Sequence, residues 1–259
     1  MKTAIKLILI YLGLQLLSAA VVGLIIMLIT VLKGGDATTN AAGVALAPSM
    51  LLAIISMFIY MWKANYIPRT SGSYSILSLP FVVVTLLTGI SLFILMDFLT
   101  SMLSWIPNLM EEQFNMLQSG WLGILTITIL GPVLEELLFR GGATRALLEK
   151  YSPRKAIFLS ALLFGVFHLN PAQIVGAFFG GLVLAWVYYR TRSLTLPILI
   201  HILINSSSVF LTLRHPHIDS LKDLMATTPY YILIFLASAL FVVCCNWIKR
   251  NTQNINSSI

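Results

Sequence analysis

The chain has 259 residues, of which 58% are apolar and only 10% charged, whereas an ordinary soluble domain has about 25% charged and 45–50% apolar residues. That composition excludes a water-soluble globular enzyme. The net charge of +7 comes from basic residues scattered along the chain rather than gathered on one face, which argues against nucleic acid as a partner.

A hydrocarbon layer about 30 Å thick takes roughly 20 apolar residues per spanning helix. On that criterion the sequence predicts an all-α, polytopic membrane bundle of about eight helices. The first runs from Ile5 to Leu32, the second from Leu46 to Trp62 and the third from Leu79 to Leu99. Lys2 and Lys6 precede the first apolar run as in a signal peptide, but the run continues well past a typical h-region of about 7–15 residues, so it reads as an uncleaved helix. The fourth segment runs from Trp121 into the Arg140 region, with Gly131-Pro132 expected to open the helix and Gly141-Gly142 expected to let the chain turn. Ala156 to His168 is too short for a full span and is expected to end at depth or tilt. Ala172–Tyr189, Leu194–Leu213 and Tyr230–Ile248 complete the set.

The longest polar connections include Thr100 to Gly120, where Trp105, Pro107, Glu111 and Glu112 suggest an amphipathic stretch at the outer interface. With the N-terminus inside, twelve basic residues fall on the cytoplasmic side, and only Lys33, Arg214 and Lys222 on the other, leaving Arg140 within its helix. That bias places both termini in the cytoplasm. Neither a soluble second domain nor an internal repeat is evident, so residues 1–259 read as a single membrane-embedded domain. Cys244 and Cys245 are adjacent, and adjacent helical side chains point apart, so they imply neither a disulfide framework nor a metal pair.

The first three spans hold hardly any ionisable residue, and function is expected in the second half of the chain, in motifs within 121–213. Charged side chains inside a membrane are costly and usually mark function. Glu136 and Arg140 lie four apart on one helix face, with the acid N-terminal to the base, and can neutralise each other. Glu135 points about a hundred degrees away on a helical wheel and has no partner in its own helix. Phe164 and His168 share a face of the fifth segment, and His201 and Asn205 share a face of the seventh. Each alone is compatible with packing or helix–helix hydrogen bonding. Together they are nearly all the acid–base equipment of the predicted core, and amide hydrolysis needs a base for water, a proton donor for the leaving amine and donors for an oxyanion.

In this order and spacing, Glu135-Glu136-x-x-x-Arg140, Phe164-x-x-x-His168 and His201-x-x-x-Asn205 resemble the three-motif signature of the CAAX protease and bacteriocin-processing (CPBP, or Abi) family of intramembrane endopeptidases. The resemblance implies that Glu135 is the general base that activates water, helped by His168. It implies that His201 and Asn205 form the oxyanion site, and that Glu136 and Arg140 hold the fourth helix in place. A metal-free mechanism is favoured, with zinc as the alternative, for which Glu135, His168 and His201 would be the ligands.

The expected substrate is a membrane-associated peptide or protein, and the expected location is a cell membrane, the inner membrane of a bacterium, with the lipid bilayer as the surrounding partner. Two other readings are a non-catalytic scaffold or bacteriocin-immunity factor that keeps the protease fold, and a transporter in which Glu and His relay protons. The first would be expected to lose a motif residue and the second to show internal symmetry, and neither feature is seen in the sequence.

Overall fold

The computed structural model describes residues 1–34, 41–69, 71–74, 78–218 and 220–252. Among these the fold is all-helical, with α1 (Lys2–Leu32), α2 (Ala41–Lys63), α3 (Leu79–Ser101) and a short α4 (Glu111–Gln118). They are followed by α5 (Trp121–Leu148), α6 (Pro153–Phe167), α7 (Pro171–Thr191), α8 (Thr195–Arg214) and α9 (Thr227–Asn251). The protein is a multi-pass membrane protein: seven of these helices are long and apolar enough to cross a bilayer. The fifth predicted segment corresponds to α6, which has 15 residues and, as expected, is short, reaching only about 22 Å at 1.5 Å per residue. The Thr100–Gly120 connection contains α4, which carries Glu111 and Glu112 in its first turn.

α6 stops because Leu169 takes a left-handed conformation with φ of 55°, and Pro171 begins the next helix. The turn is anchored by the buried Asn170, whose Oδ1 accepts the Leu109 amide at 3.1 Å and whose Nδ2 donates to Asn108 Oδ1 at 2.8 Å. In a membrane, irregular backbone survives only where such partners satisfy it.

α5 departs from the sequence expectation. The chain does not turn at Gly141-Gly142 but stays helical to Leu148, and the helix widens into π-type turns at Thr126–Leu130 and Leu137–Thr144. Gly142 instead admits a neighbour, since a Cβ there would lie 2.7 Å from Leu7 Cδ1 of α1. α5 is the most enclosed of the seven spanning helices. Its Leu134, Leu137, Leu138 and Phe139 form the main core with Leu7 and Tyr11 of α1, Met57 and Met61 of α2, and Phe164 and Phe167 of α6. A buried hydroxyl pair, Thr144 Oγ1 and Ser160 Oγ at 2.7 Å, also joins α5 to α6. Large apolar side chains such as Leu16, Leu24, Phe210 and Phe235 point outward, as lipid rather than water requires.

α6 and α7 form a hairpin that depends on small residues. A Cβ at Gly165 would lie 2.9 Å from the Ile174 carbonyl and 3.1 Å from Phe178 Cβ, whereas one at Gly180 would meet nothing within 4 Å. Gly165→Val is expected to cost about 1–3 kcal/mol by overpacking, while Gly180→Ala is expected to be neutral or slightly stabilising. Thermal unfolding of the purified variants in detergent checks this, and equal melting temperatures would contradict the close approach.

Candidate active site

Glu135 and Glu136 end the α-helical stretch of α5, Gly131–Glu136, which lies between the two π-type stretches. Their environments differ sharply. The Glu136 side chain is 0% exposed, and that of Glu135 is 20% exposed. Glu136 Oε1 accepts Arg140 Nη1 at 2.7 Å and His201 Nδ1 at 2.8 Å. Arg140 is itself fully buried, donates from Nη2 to the Gly181 carbonyl at 3.2 Å, and sets its guanidinium 4.5 Å from the centre of the Phe164 ring. One carboxylate oxygen thus ties α5 to α8, and the paired arginine ties it to α6 and α7. Four helices meet on a single ion pair.

Glu135 Oε2 is buried and has no hydrogen-bond partner; its nearest cationic group is His201 Nε2, at 3.8 Å. Gly131 leaves room on this side, since a Cβ there would come within 4.0 Å of Glu135 Oε1. Both acids have an Oε2 without a hydrogen-bond partner, but Glu136 is sealed and doubly bonded through Oε1, while Glu135 is partly open.

The tautomers of the two histidines follow from their acceptors. His201 Nδ1 faces a carboxylate and His168 Nδ1 faces the Phe164 carbonyl at 2.8 Å. Neither acceptor can donate when Glu136 is ionised, so both Nδ1 atoms carry hydrogen and each neutral ring keeps its lone pair at Nε2. Phe164 spaces the group. His168 and His201 both meet its ring edge-to-face, with centroids 4.8 and 5.7 Å away. His168 and Glu135 are also close enough to interact electrostatically.

Asn205 Nδ2 donates to the Ile127 carbonyl at 3.0 Å. In the first π-type stretch the Gly131 amide bonds back five residues to Thr126 O, so the next bond in that ladder would run from residue 132 to Ile127 O. Residue 132 is proline and has no amide hydrogen. The Asn205 amide supplies the missing donor, and because Nδ2 carries two hydrogens, one remains.

Among the described residues, no three His, Cys, Asp or Glu side chains are arranged to hold a metal ion, so Glu135, His168 and His201 do not form a ready ligand set here.

Residues 117–207 match the family model for Rce1-like type II CAAX prenyl endopeptidases. The CPBP resemblance of the three motifs is thereby supported over the segment that contains them. The chain is 31% identical over 100 residues to YdiL of Bacillus subtilis, named as a candidate membrane peptidase; the match covers 39% of this chain and 41% of that protein. It is 30% identical over 118 residues to MroQ of Staphylococcus aureus, named as a membrane-embedded CAAX protease, a match covering 43% of this chain and 47% of that protein. The matches thus span less than half the length of these curated relatives. No solved structure matches the chain.

The structure brings Glu135, Glu136, Arg140, His168 and His201 around Phe164, with Asn205 one helical turn beyond His201. Three contributors were not anticipated from the sequence: the Gly181 carbonyl, the Ile127 carbonyl and Tyr11. Tyr11 comes from α1, a helix expected to add nothing to the site, and stacks on Phe167 with centroids 5.5 Å apart. It also lies within electrostatic range of Glu135. Only the Ile127 contact had a sequence signal, a proline five residues downstream.

Glu136→Gln removes the charge that balances a buried guanidinium, and such a loss costs about 3–5 kcal/mol. Glu135→Gln removes no hydrogen bond of the folded state and is expected to change stability by less than about 1 kcal/mol. Unfolding of both variants in mixed micelles checks the contrast; equal losses would contradict it.

Proposed function

We propose that the protein is an intramembrane endopeptidase that hydrolyses a peptide bond of a membrane-associated peptide or protein with a water activated by Glu135. The observation that carries this reading is the inequality of the two glutamates: Glu136 is fully buried and its Oε1 is bound by both Arg140 and His201, whereas Glu135 is partly exposed and its Oε2 has no hydrogen-bond partner. The match to a family of prenyl endopeptidases and the names of the two curated relatives support the reaction class.

In the proposed sequence, ionised Glu135 takes a proton from water as its oxygen attacks the scissile carbonyl carbon. His168 accepts a hydrogen bond from that water through Nε2, because Nδ1–H is committed to the Phe164 carbonyl. The carbonyl π electrons move to oxygen and form a tetrahedral oxyanion. The free Asn205 Nδ2 hydrogen donates to that oxyanion, beside the His201 ring that Glu136 holds at Nδ1. When the tetrahedral carbon collapses, the C–N bond breaks and the proton held by Glu135 passes to the departing amine. The products are a carboxylic acid and an amine, and Glu135 is returned to its ionised state. Arg140 takes no part in proton transfer; it pairs with Glu136, which in turn orients His201.

The excess of basic residues at one set of helix ends supports a cytoplasmic location for both termini, and we assign the protein to the inner membrane of a bacterium. Glu135→Gln is expected to lower the cleavage rate of a quenched peptide library by about 10²–10⁴-fold, the usual contribution of a general base, with the wild-type rate unchanged by a chelator. Wild-type cleavage by the variant would overturn the assignment of the base, and loss of wild-type activity with chelator would move the chemistry to a metal.

A further inference from the structure

The first turn of α6 and the last turns of α7 and α9 enclose a cleft of about 570 Å³ at the end of the bundle that holds the C-terminus of α5. Arg154, Arg190 and Lys249 line it, together with Ile157, Trp186 and Tyr189, and no carboxylate does. Arg190 is held in place. Its Nε donates to Thr252 Oγ1 at 3.0 Å and its Nη2 to the Lys249 carbonyl at 2.5 Å, so it fastens the C-terminus of α9 to α7 and still keeps Nη1. Arg154 and Lys249 are exposed. Ser152 caps α6 without a side-chain hydrogen bond, so the amides of its first turn add further donors.

Basic residues are common at helix ends of membrane proteins because they orient the chain. That rule accounts for scattered charges, but it requires neither a cleft nor a lining free of acids. Three cations around one cavity, with one guanidinium fixed by two hydrogen bonds, form a receptor for an anion with several acceptor oxygens. Trp186 and Tyr189 are the residue types of the bilayer interface, and Ile157 with the Trp186 ring gives the cleft an apolar wall. The abundant anion at that depth is a lipid phosphate, whose glycerol and acyl portions would lie against such a wall. We propose that this cleft binds the phosphate of an anionic phospholipid headgroup, bridging the α6–α7 hairpin and the end of α9.

The test uses the full chain in detergent, titrated with phosphatidylglycerol in mixed micelles and read as a rise in melting temperature. Phosphatidylcholine and sn-glycerol 3-phosphate serve as separate arms. Arg154→Gln/Lys249→Gln is compared with Lys63→Gln/Lys150→Gln, which removes the same charge from exposed residues outside the cleft. Phosphatidylglycerol is expected to stabilise the wild type and the Lys63/Lys150 pair alike. The cleft pair should need about ten-fold more lipid or greater for the same shift, by the usual contribution of interfacial cations. Arg154→Gln alone should give a smaller loss of the same sign, which keeps the test open if the pair folds poorly. Equal losses in both pairs would reduce the effect to diffuse surface charge and overturn the site. Stabilisation by glycerol phosphate at the same concentrations would reassign the cleft to a soluble phosphate compound and overturn the lipid.

Discussion

The Glu136–Arg140 pair is the constraint on which the rest of the arrangement depends. Both side chains are fully buried, and each ion taken from water carries a desolvation cost of several kcal/mol that attraction offsets only when geometry is good and the remaining hydrogen-bonding groups are served. Here three other helices serve part of the pair, through the His201 ring of α8, the Gly181 carbonyl of α7 and the Phe164 ring of α6, while Glu136 Oε2 and Arg140 Nε stay without a hydrogen-bond partner. If any of these helices shifts, a charge is stranded in an apolar interior. The same geometry leaves Glu135 unmatched, because the next residue on a helix points to a different sector. Adjacent glutamates therefore divide into a group that fixes the structure and a group available to chemistry.

The local irregularity of α5 serves that division. A proline inside a spanning helix would ordinarily leave a carbonyl unpaired in hydrocarbon. The wide turn at Thr126–Leu130 passes the deficit to Ile127 O, and Asn205 answers it. The backbone of α5 and the side-chain stripe of α8 are thus joined twice, by Glu136 to His201 and by Asn205 to Ile127. A helix-breaking residue becomes a docking point, and the polar side chain that meets it remains beside the glutamates with a donor to spare.

Much of this was legible in the sequence. Composition and apolar run length gave an all-helical membrane bundle, and the spacing of Glu136 and Arg140 gave their ion pair because four residues on a helix is a local distance. The spans were legible to within about five residues, the shortness of α6 included, except that α5 runs on past the Arg140 region to Leu148. The contacts between helices were not legible. Nothing in the spacing says that His201 binds Glu136, that Arg140 reaches Gly181, or that Tyr11 of the first span stacks against Phe167. The glycines of 141–142 were misread for a related reason: Gly142 makes room for Leu7, more than 130 positions away in sequence, and Gly141 faces Pro68 and Leu194. A turn and a close helix approach make the same local demand for a small residue.

The claim that a single buried ion pair organises the site is tested most directly by a double-mutant cycle on Glu136→Gln and Arg140→Gln, read as unfolding free energy in mixed micelles. If the pair is the organising contact, each single variant strands a charge, and the double variant is less destabilised than the sum of the two by about 2 kcal/mol or more. Additivity within about 0.5 kcal/mol would show the two residues acting independently and would contradict the account.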